Sequence, residues 1–169
     1  MARPGELRHM EWTEIAFDSA EWRVPAEKMK GRQPHIVPLP WQALAILRDL
    51  HELTGGRKYA FPCHGKPDQP MSEAAVAVAL HKLGVKGKQT AHGFRATART
   101  ILDEVLRQRV EHVEHQLAHS VQDPLGRAYN RTTHIDERRV MLQLWADYLD
   151  GLKQGAREIP LKREEVTGA

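Results

Sequence analysis

Three runs near the start decide the fold class of this chain: Thr13-Glu14-Ile15-Ala16-Phe17-Asp18, Glu21-Trp22-Arg23-Val24-Pro25 and His35-Ile36-Val37-Pro38-Leu39. Ile15 and Phe17 alternate with polar neighbours, and Trp22 and Val24 do the same across Arg23. That is the pattern of strands buried on one face. The turn residues Ser19 and Ala20 separate the first two runs. The polar segment Lys28 to Pro34, which contains Gly31, separates the second from the third. The reading is a small three-stranded antiparallel meander.

Outward from the meander the chain reads as helical. Upstream, Arg3 to Met10 is a short helical turn with its lead-in. Downstream, Leu44, Ile46, Leu47, Leu50 and Leu53 recur at helical spacing from Trp41 to Leu53, and Gly55-Gly56 stops the helix. Tyr59 to Pro62 is a short extended segment. Cys63 to Pro70, with Gly65, Pro67 and Pro70, predicts an exposed loop. Ser72 is placed to cap a helix running to Leu83 and closed by Gly84. Further helices are predicted over His92 to Leu106, Val110 to Ala118 and Ile135 to Leu152. From Gln154 onward the chain is polar with little periodicity and is expected to fray. The expected architecture is mainly α with a small three-stranded antiparallel sheet near the N-terminus (α+β). One domain covers 1–153 and a polar tail covers 154–169.

At 169 residues there is room for one domain with its own core but not for two comfortable ones. With 41% hydrophobic and 28% charged residues the composition is that of an ordinary soluble domain. No apolar run reaches the length of a membrane span and no signal peptide opens the chain, so no membrane partner is expected. A lone cysteine, Cys63, excludes an internal disulfide framework and fits a reducing, cytoplasmic setting. Net charge is only +3, but Lys86, Lys88, Arg95, Arg99, Arg107 and Arg109 crowd one stretch against Asp103 and Glu104. A local positive field of that kind attracts phosphates. From charge alone, a solvated helix face is the plainer reading.

Six residues carry candidate chemistry, in chain order Arg3, Lys30, His92, Arg95, His119 and Tyr129. Two arginines converging on one phosphate neutralise its charge and bind it bidentately. A histidine beside them exchanges a proton near neutral pH. A lysine on a hairpin can protonate a departing hydroxyl. A tyrosine, with an unperturbed pKa near 10, becomes a nucleophile when its neighbours help remove the proton. Such a set transfers a phosphodiester with no metal and no cofactor. Each residue alone is ordinary: a packed tyrosine, a surface His-x-x-Arg pair, a solvated loop lysine.

Their order and contexts are not ordinary. Arg3-Pro4-Gly5-Glu6-Leu7, followed by a tryptophan-bearing first strand, resembles the first arginine motif of the tyrosine recombinases of the phage-integrase type. Met29-Lys30-Gly31 and His35-Ile36-Val37-Pro38-Leu39 resemble that family's hairpin lysine and the next strand. Ala91-His92-Gly93-Phe94-Arg95-Ala96-Thr97-Ala98 resembles its second box. Gln116-Leu117-Ala118-His119-Ser120 is similar to its Leu-Gly-His-Ser, with alanine for glycine, and Tyr129-Asn130-Arg131 follows at the expected distance. Glu137-Arg138-Arg139 and Trp145-Ala146-Asp147-Tyr148-Leu149 resemble the C-terminal helix of integrases from prophages and genomic islands. The resemblance spans about residues 3 to 152.

The resemblance implies a catalytic domain that cuts and rejoins DNA through a covalent 3′-phosphotyrosyl link. Tyr129 would be the nucleophile, and Arg3 and Arg95 would hold the non-bridging oxygens. Lys30 would protonate the 5′-hydroxyl, His92 would take the tyrosine proton, and His119 would hydrogen-bond the phosphate. Glu6 would orient the first arginine or its helix. Implied partners are double-stranded DNA at specific attachment sites, a homotetramer on that DNA, and accessory DNA-bending or directionality proteins. The family's catalytic domain carries helices ahead of its first arginine. The chain is therefore expected to lack those helices, the DNA-clamping domain and any arm-binding domain.

Two other readings stand beside this one. The fragment could bind DNA without catalysis. Alternatively, His112, His115 and His119, spaced three and four apart, could share a helical face as metal ligands of a hydrolase. No carboxylate or cysteine in that stretch clearly completes the set, and His51-Glu52 lacks the second histidine of a zinc-protease helix.

Overall fold

In the computed structural model the described residues are 1–118 and 134–155. Helix α1 (Pro4–Arg8) leads through a 3₁₀ turn (Trp12–Glu14) into strands β1 (Ile15–Ala16), β2 (Glu21–Val24) and β3 (His35–Pro38). The strands form an antiparallel sheet in the order β1-β2-β3, with Ile15 opposite Trp22 and Trp22 opposite Val37. Because side chains alternate between faces, that register stacks Ile15, Trp22 and Val37 on one side. This is the three-stranded sheet read from the sequence.

Helix α2 (Trp41–Thr54) supplies Leu44 and Leu47 to the apolar face of the sheet. Trp12 and Trp22 lie in the same core, and each places its indole N–H on an oxygen: Thr54 O at 2.9 Å and Glu14 Oε2 at 3.0 Å. Rings of this kind bury about 150–250 Å² each. At about 25 cal/mol per Å² that is roughly 4–6 kcal/mol, before the entropy of ordering the chain.

The remainder is helical: α3 (Ala75–Lys82), α4 (Gly93–Thr100), α5 (Val110–Gln116) and α6 (Ile135–Lys153). Leu102, Val113, Leu117, Met141 and Leu142 form a second apolar cluster between the segment after α4, α5 and α6. Arg138 of α6, fully buried, stitches the two cores together. It donates from Nε and Nη2 to Gln116 Oε1 (3.0 and 2.9 Å) and from Nη2 to the Ile36 carbonyl. Burial pushes its pKa down to about 10, which leaves it charged at neutral pH.

Four expectations change. The first strand is shorter than the run Thr13 to Asp18, because Trp12–Glu14 forms a 3₁₀ turn and β1 keeps only Ile15–Ala16. Cys63 to Pro70 is a β-hairpin rather than a loop: β4 (Pro62–Cys63) pairs with β5 (Lys66–Pro70). Proline is tolerated there because both strands are edges, so an N–H is needed on one side only. Helix α3 begins at Ala75, beyond the predicted Ser72 cap. Arg8 holds the approach in place, donating to the Met71 carbonyl (3.0 Å) and pairing with Glu73 (3.2 Å). Gly84 does follow the helix, in a left-handed conformation (φ 76°). The helix predicted over His92 to Leu106 ends as α at Thr100 and widens into a π turn over Ile101–Val105. Leu106 N–H reaches back to Ile101 O at 2.8 Å, and Leu102 is left fully buried.

No helix among the described residues is long and apolar enough to cross a membrane. The predicted tail falls mostly on residues 156–169, outside the described residues.

Candidate active site

Arg3 stands at the N-cap of α1. Glu6, one turn on and buried, reaches back twice. Its Oε2 accepts the Arg3 backbone N–H at 2.9 Å, and its Oε1 pairs with Arg3 Nη1 at 2.8 Å. The first contact is the half of a capping box that satisfies an orphan donor at the helix start. The second fixes the direction of the guanidinium.

Arg95, on α4, is 6% exposed. Its Nη2 donates to the Leu117 carbonyl at 2.8 Å, and its Nη1 donates to the Met1 carbonyl. Burial lowers its pKa, and the positive charge of Arg3 lowers it further, opposed by Glu6 and Glu114. Through the Met1 carbonyl the fold ties Arg95 to the segment that carries Arg3, from opposite ends of the first hundred residues. The contact to Leu117 also ties Arg95 to the chain two residues before His119.

Lys30 is exposed and lines an open cleft of about 500 Å³ together with Arg3, Glu6, Lys28 and Arg32. Lys28 is committed elsewhere. Its ammonium binds the His9 carbonyl (2.9 Å), Glu11 Oε1 (2.7 Å) and Glu14 Oε1. Burial alone would lower its pKa, but the two carboxylates outweigh that and raise it. His92 is exposed at the N-cap of α4, one turn before Arg95, whose N–H bonds the His92 carbonyl at 3.0 Å. His119 and Tyr129 lie outside the described residues. Among the sequence candidates, the structure thus groups Arg3 with Arg95 and Arg3 with Lys30, and places His92 on the same helical turn as Arg95.

Packing modifies the basic stretch from Lys86 to Arg109. Arg99 pairs with Glu114 at 2.7 Å and Arg109 with Glu111 at 2.5 Å, so α5 neutralises part of the field. Lys86, Lys88 and Arg107 are exposed. Within the histidine set of the metal reading, His112 and His115 are buried on α5. Burial holds both below the ordinary histidine range, and His134 adds to the effect. His119 is outside the described residues.

Sequence reasoning missed the pinning role of Arg138, which was visible only as one member of a charged Glu-Arg-Arg run. A charged residue inside an amphipathic helix carries no sign that it points inward until its buried acceptors are known.

Known proteins match this chain in sequence and in fold. The profile of the phage integrase family matches residues 1–134. Prophage integrase IntA of Escherichia coli (strain K12) is 40% identical over 156 residues, covering 92% of this chain and 38% of that protein. The integrase of Enterobacteria phage P4 is 39% identical over 163 residues, covering 88% of this chain and 37% of that protein. The chain therefore spans well under half the length of these curated relatives. Among solved structures, the crystal structure of XerA recombinase superposes with a TM-score of 0.55 at 17% identity, over 93% of this chain and 54% of that one. That likeness supports the fold.

Proposed function

The chain belongs to the phage integrase family, and from that membership we propose that it is the catalytic unit of a site-specific recombinase that breaks and rejoins DNA at attachment sites of a mobile element. The observations that support the reading are that Arg95 donates to the Met1 carbonyl, two residues from Arg3, and that Arg3 lines one open cleft with Lys30.

In the proposed reaction the Tyr129 hydroxyl oxygen attacks the scissile phosphorus. The bond from phosphorus to the 5′-oxygen breaks, and a 3′-phosphotyrosyl link forms. His92 takes the tyrosine proton and Lys30 protonates the departing 5′-hydroxyl. Arg3 and Arg95 hold the non-bridging oxygens, whose charge grows in the transition state, while His119 hydrogen-bonds the phosphate. The covalent link keeps the energy of the broken ester, so reversal by the 5′-hydroxyl of a partner strand needs neither nucleotide nor metal. Exclusion of water favours rejoining over hydrolysis.

The catalytic unit is proposed to run over residues 1–153, ending with α6, and residues 154–169 to form a tail. Double-stranded DNA is the proposed substrate, bound by a tetramer with accessory DNA-bending proteins, in the cytoplasm at the nucleoid. The test is a nicked attachment-site duplex that traps the covalent intermediate, incubated in excess chelator. A DNA-linked species on a denaturing gel, mapped by mass to the peptide containing Tyr129, is the expected result. A linked species mapped to another residue, or cleavage that appears only when metal is restored, would overturn the mechanism.

A further inference from the structure

The first turn of α5 and the start of α6 meet at a group the proposed reaction does not use. Glu111 and His112 lie on α5, and His134 is the residue from which α6 begins. One ligand atom from each lies within 4.8 Å of the other two. The rings of His112 and His134 are 4.9 Å apart between centroids, and His115 sets its ring nearly perpendicular to that of His134 at 5.4 Å.

Two features mark this as more than a chance cluster. His112 is 7% exposed, and its buried Nε2 has no hydrogen-bond partner among the described residues. Glu111 Oε1 stands 3.6 Å away, beyond hydrogen-bond reach. Buried polar nitrogens in folded proteins are rarely left so. His134 adopts a left-handed backbone conformation (φ 58°, ψ 36°) that few side chains other than Gly, Asn and Asp take readily. Such strain collects at ligand-holding sites.

We propose that Glu111, His112 and His134 form a zinc site that clasps the start of α5 to the start of α6. Two imidazole nitrogens and one carboxylate oxygen are the three-ligand set zinc accepts with a fourth position left to water. Magnesium and calcium, which favour oxygen ligands, do not suit it. Ligands about 2.0–2.1 Å from a tetrahedral ion stand about 3.4 Å apart, so the present spacing must tighten by side-chain rotation. The Glu111 carboxylate, now paired with Arg109 at 2.5 Å, turns from that guanidinium toward the ion. In sequence the two clasped elements flank residues 119–133, which include His119 and Tyr129. The site stands apart from the recombination reading and survives its failure.

The test uses the whole chain, stripped with chelator and carrying Cys63→Ser so that no thiol binds metal. It is titrated with Co²⁺ for the visible absorption of tetrahedral cobalt and with Zn²⁺ for stoichiometry and thermal midpoint. One equivalent is expected to bind, with the tetrahedral spectrum and a raised midpoint. His134→Gln and Glu111→Gln are expected to weaken binding at least about 10-fold, with far-ultraviolet circular dichroism unchanged, while His64→Gln binds as the parent does. His134 is only half-buried, so its replacement does not depend on the core tolerating a change at His112. Absence of stoichiometric binding, or equal affinity in all the variants, would overturn the site.

Discussion

The two arginines proposed to share one phosphate are held in opposite ways. Arg3 is anchored within its own helical turn by Glu6 and keeps 26% of its side chain exposed. Arg95 is buried and anchored across the fold, by carbonyls of Met1 and Leu117. The first placement is written into a four-residue motif and needs little else. The second exists only when α4 is seated against the chain leading to His119. Activity and stability should therefore separate at one arginine and fall together at the other.

Arg95→Ala is expected to have the largest effect. Loss of one donor to a developing oxyanion costs about 10²–10³ in rate. Leaving two carbonyls without their donor costs about 1–3 kcal/mol of stability as well. Arg95→Lys should not restore the rate, since an ammonium lacks the planar fork. Adduct-formation kinetics and urea unfolding read the two effects, and near-normal turnover of the lysine variant would contradict bidentate binding.

Arg3→Ala should also lose about 10² or more in rate, while its stability loss should be smaller than at Arg95, because the Glu6 carboxylate left behind still accepts the backbone N–H of residue 3. Equal stability losses at the two arginines would erase the comparison. Glu6→Gln sharpens it. The amide still accepts the Arg3 N–H but gives up the ion pair, so a rate loss of about 10-fold or less is expected, with Arg3 still at its N-cap.

Two lysines in the same cleft repeat the contrast on a smaller scale. Lys28 is clamped by Glu11 and Glu14, whereas Lys30 is exposed. Lys30→Met should slow strand cleavage and leave stability within about 0.5 kcal/mol, as for most surface changes. Lys28→Met should do the reverse. The clamp is also pH-dependent. Burial raises the pKa of Glu11, but Lys28 outweighs burial and holds it below the ordinary 4.5. A carboxylate depressed in the folded state stabilises above its unfolded value, and that contribution fades as pH falls through the folded one. Urea midpoints measured downward from about pH 5 should therefore fall less steeply in Glu11→Gln than in the parent.

How far the sequence could be read depended on whether the deciding interaction was local. The meander was legible because Ile15 and Phe17, and then Trp22 and Val24, alternate on a period of two, and α2 because its leucines keep a helical period. Arg3, Lys30, His92 and Arg95 were proposed through the motifs around them, and only the fold shows that Arg3 and Lys30 line one cleft and that Arg95 is tied to Met1 and Leu117. The β4–β5 hairpin was not, because Pro67 and Pro70 carry a loop signature that only an edge strand forgives. The segment leading into α3 is bonded at the Met71 carbonyl by Arg8, a residue far away in the chain. The grouping of Glu111 and His112 with His134 joins two helices, so the three-and-four spacing that singled out His112 and His115 had no means of showing the third member.

The central claim, that Tyr129 is the nucleophile, is tested most directly by Tyr129→Phe on nicked attachment-site DNA. Loss of one hydroxyl should leave folding and DNA binding nearly intact and abolish the covalent species altogether. A phenylalanine variant that still forms the DNA-linked species at the parent's rate would contradict the account.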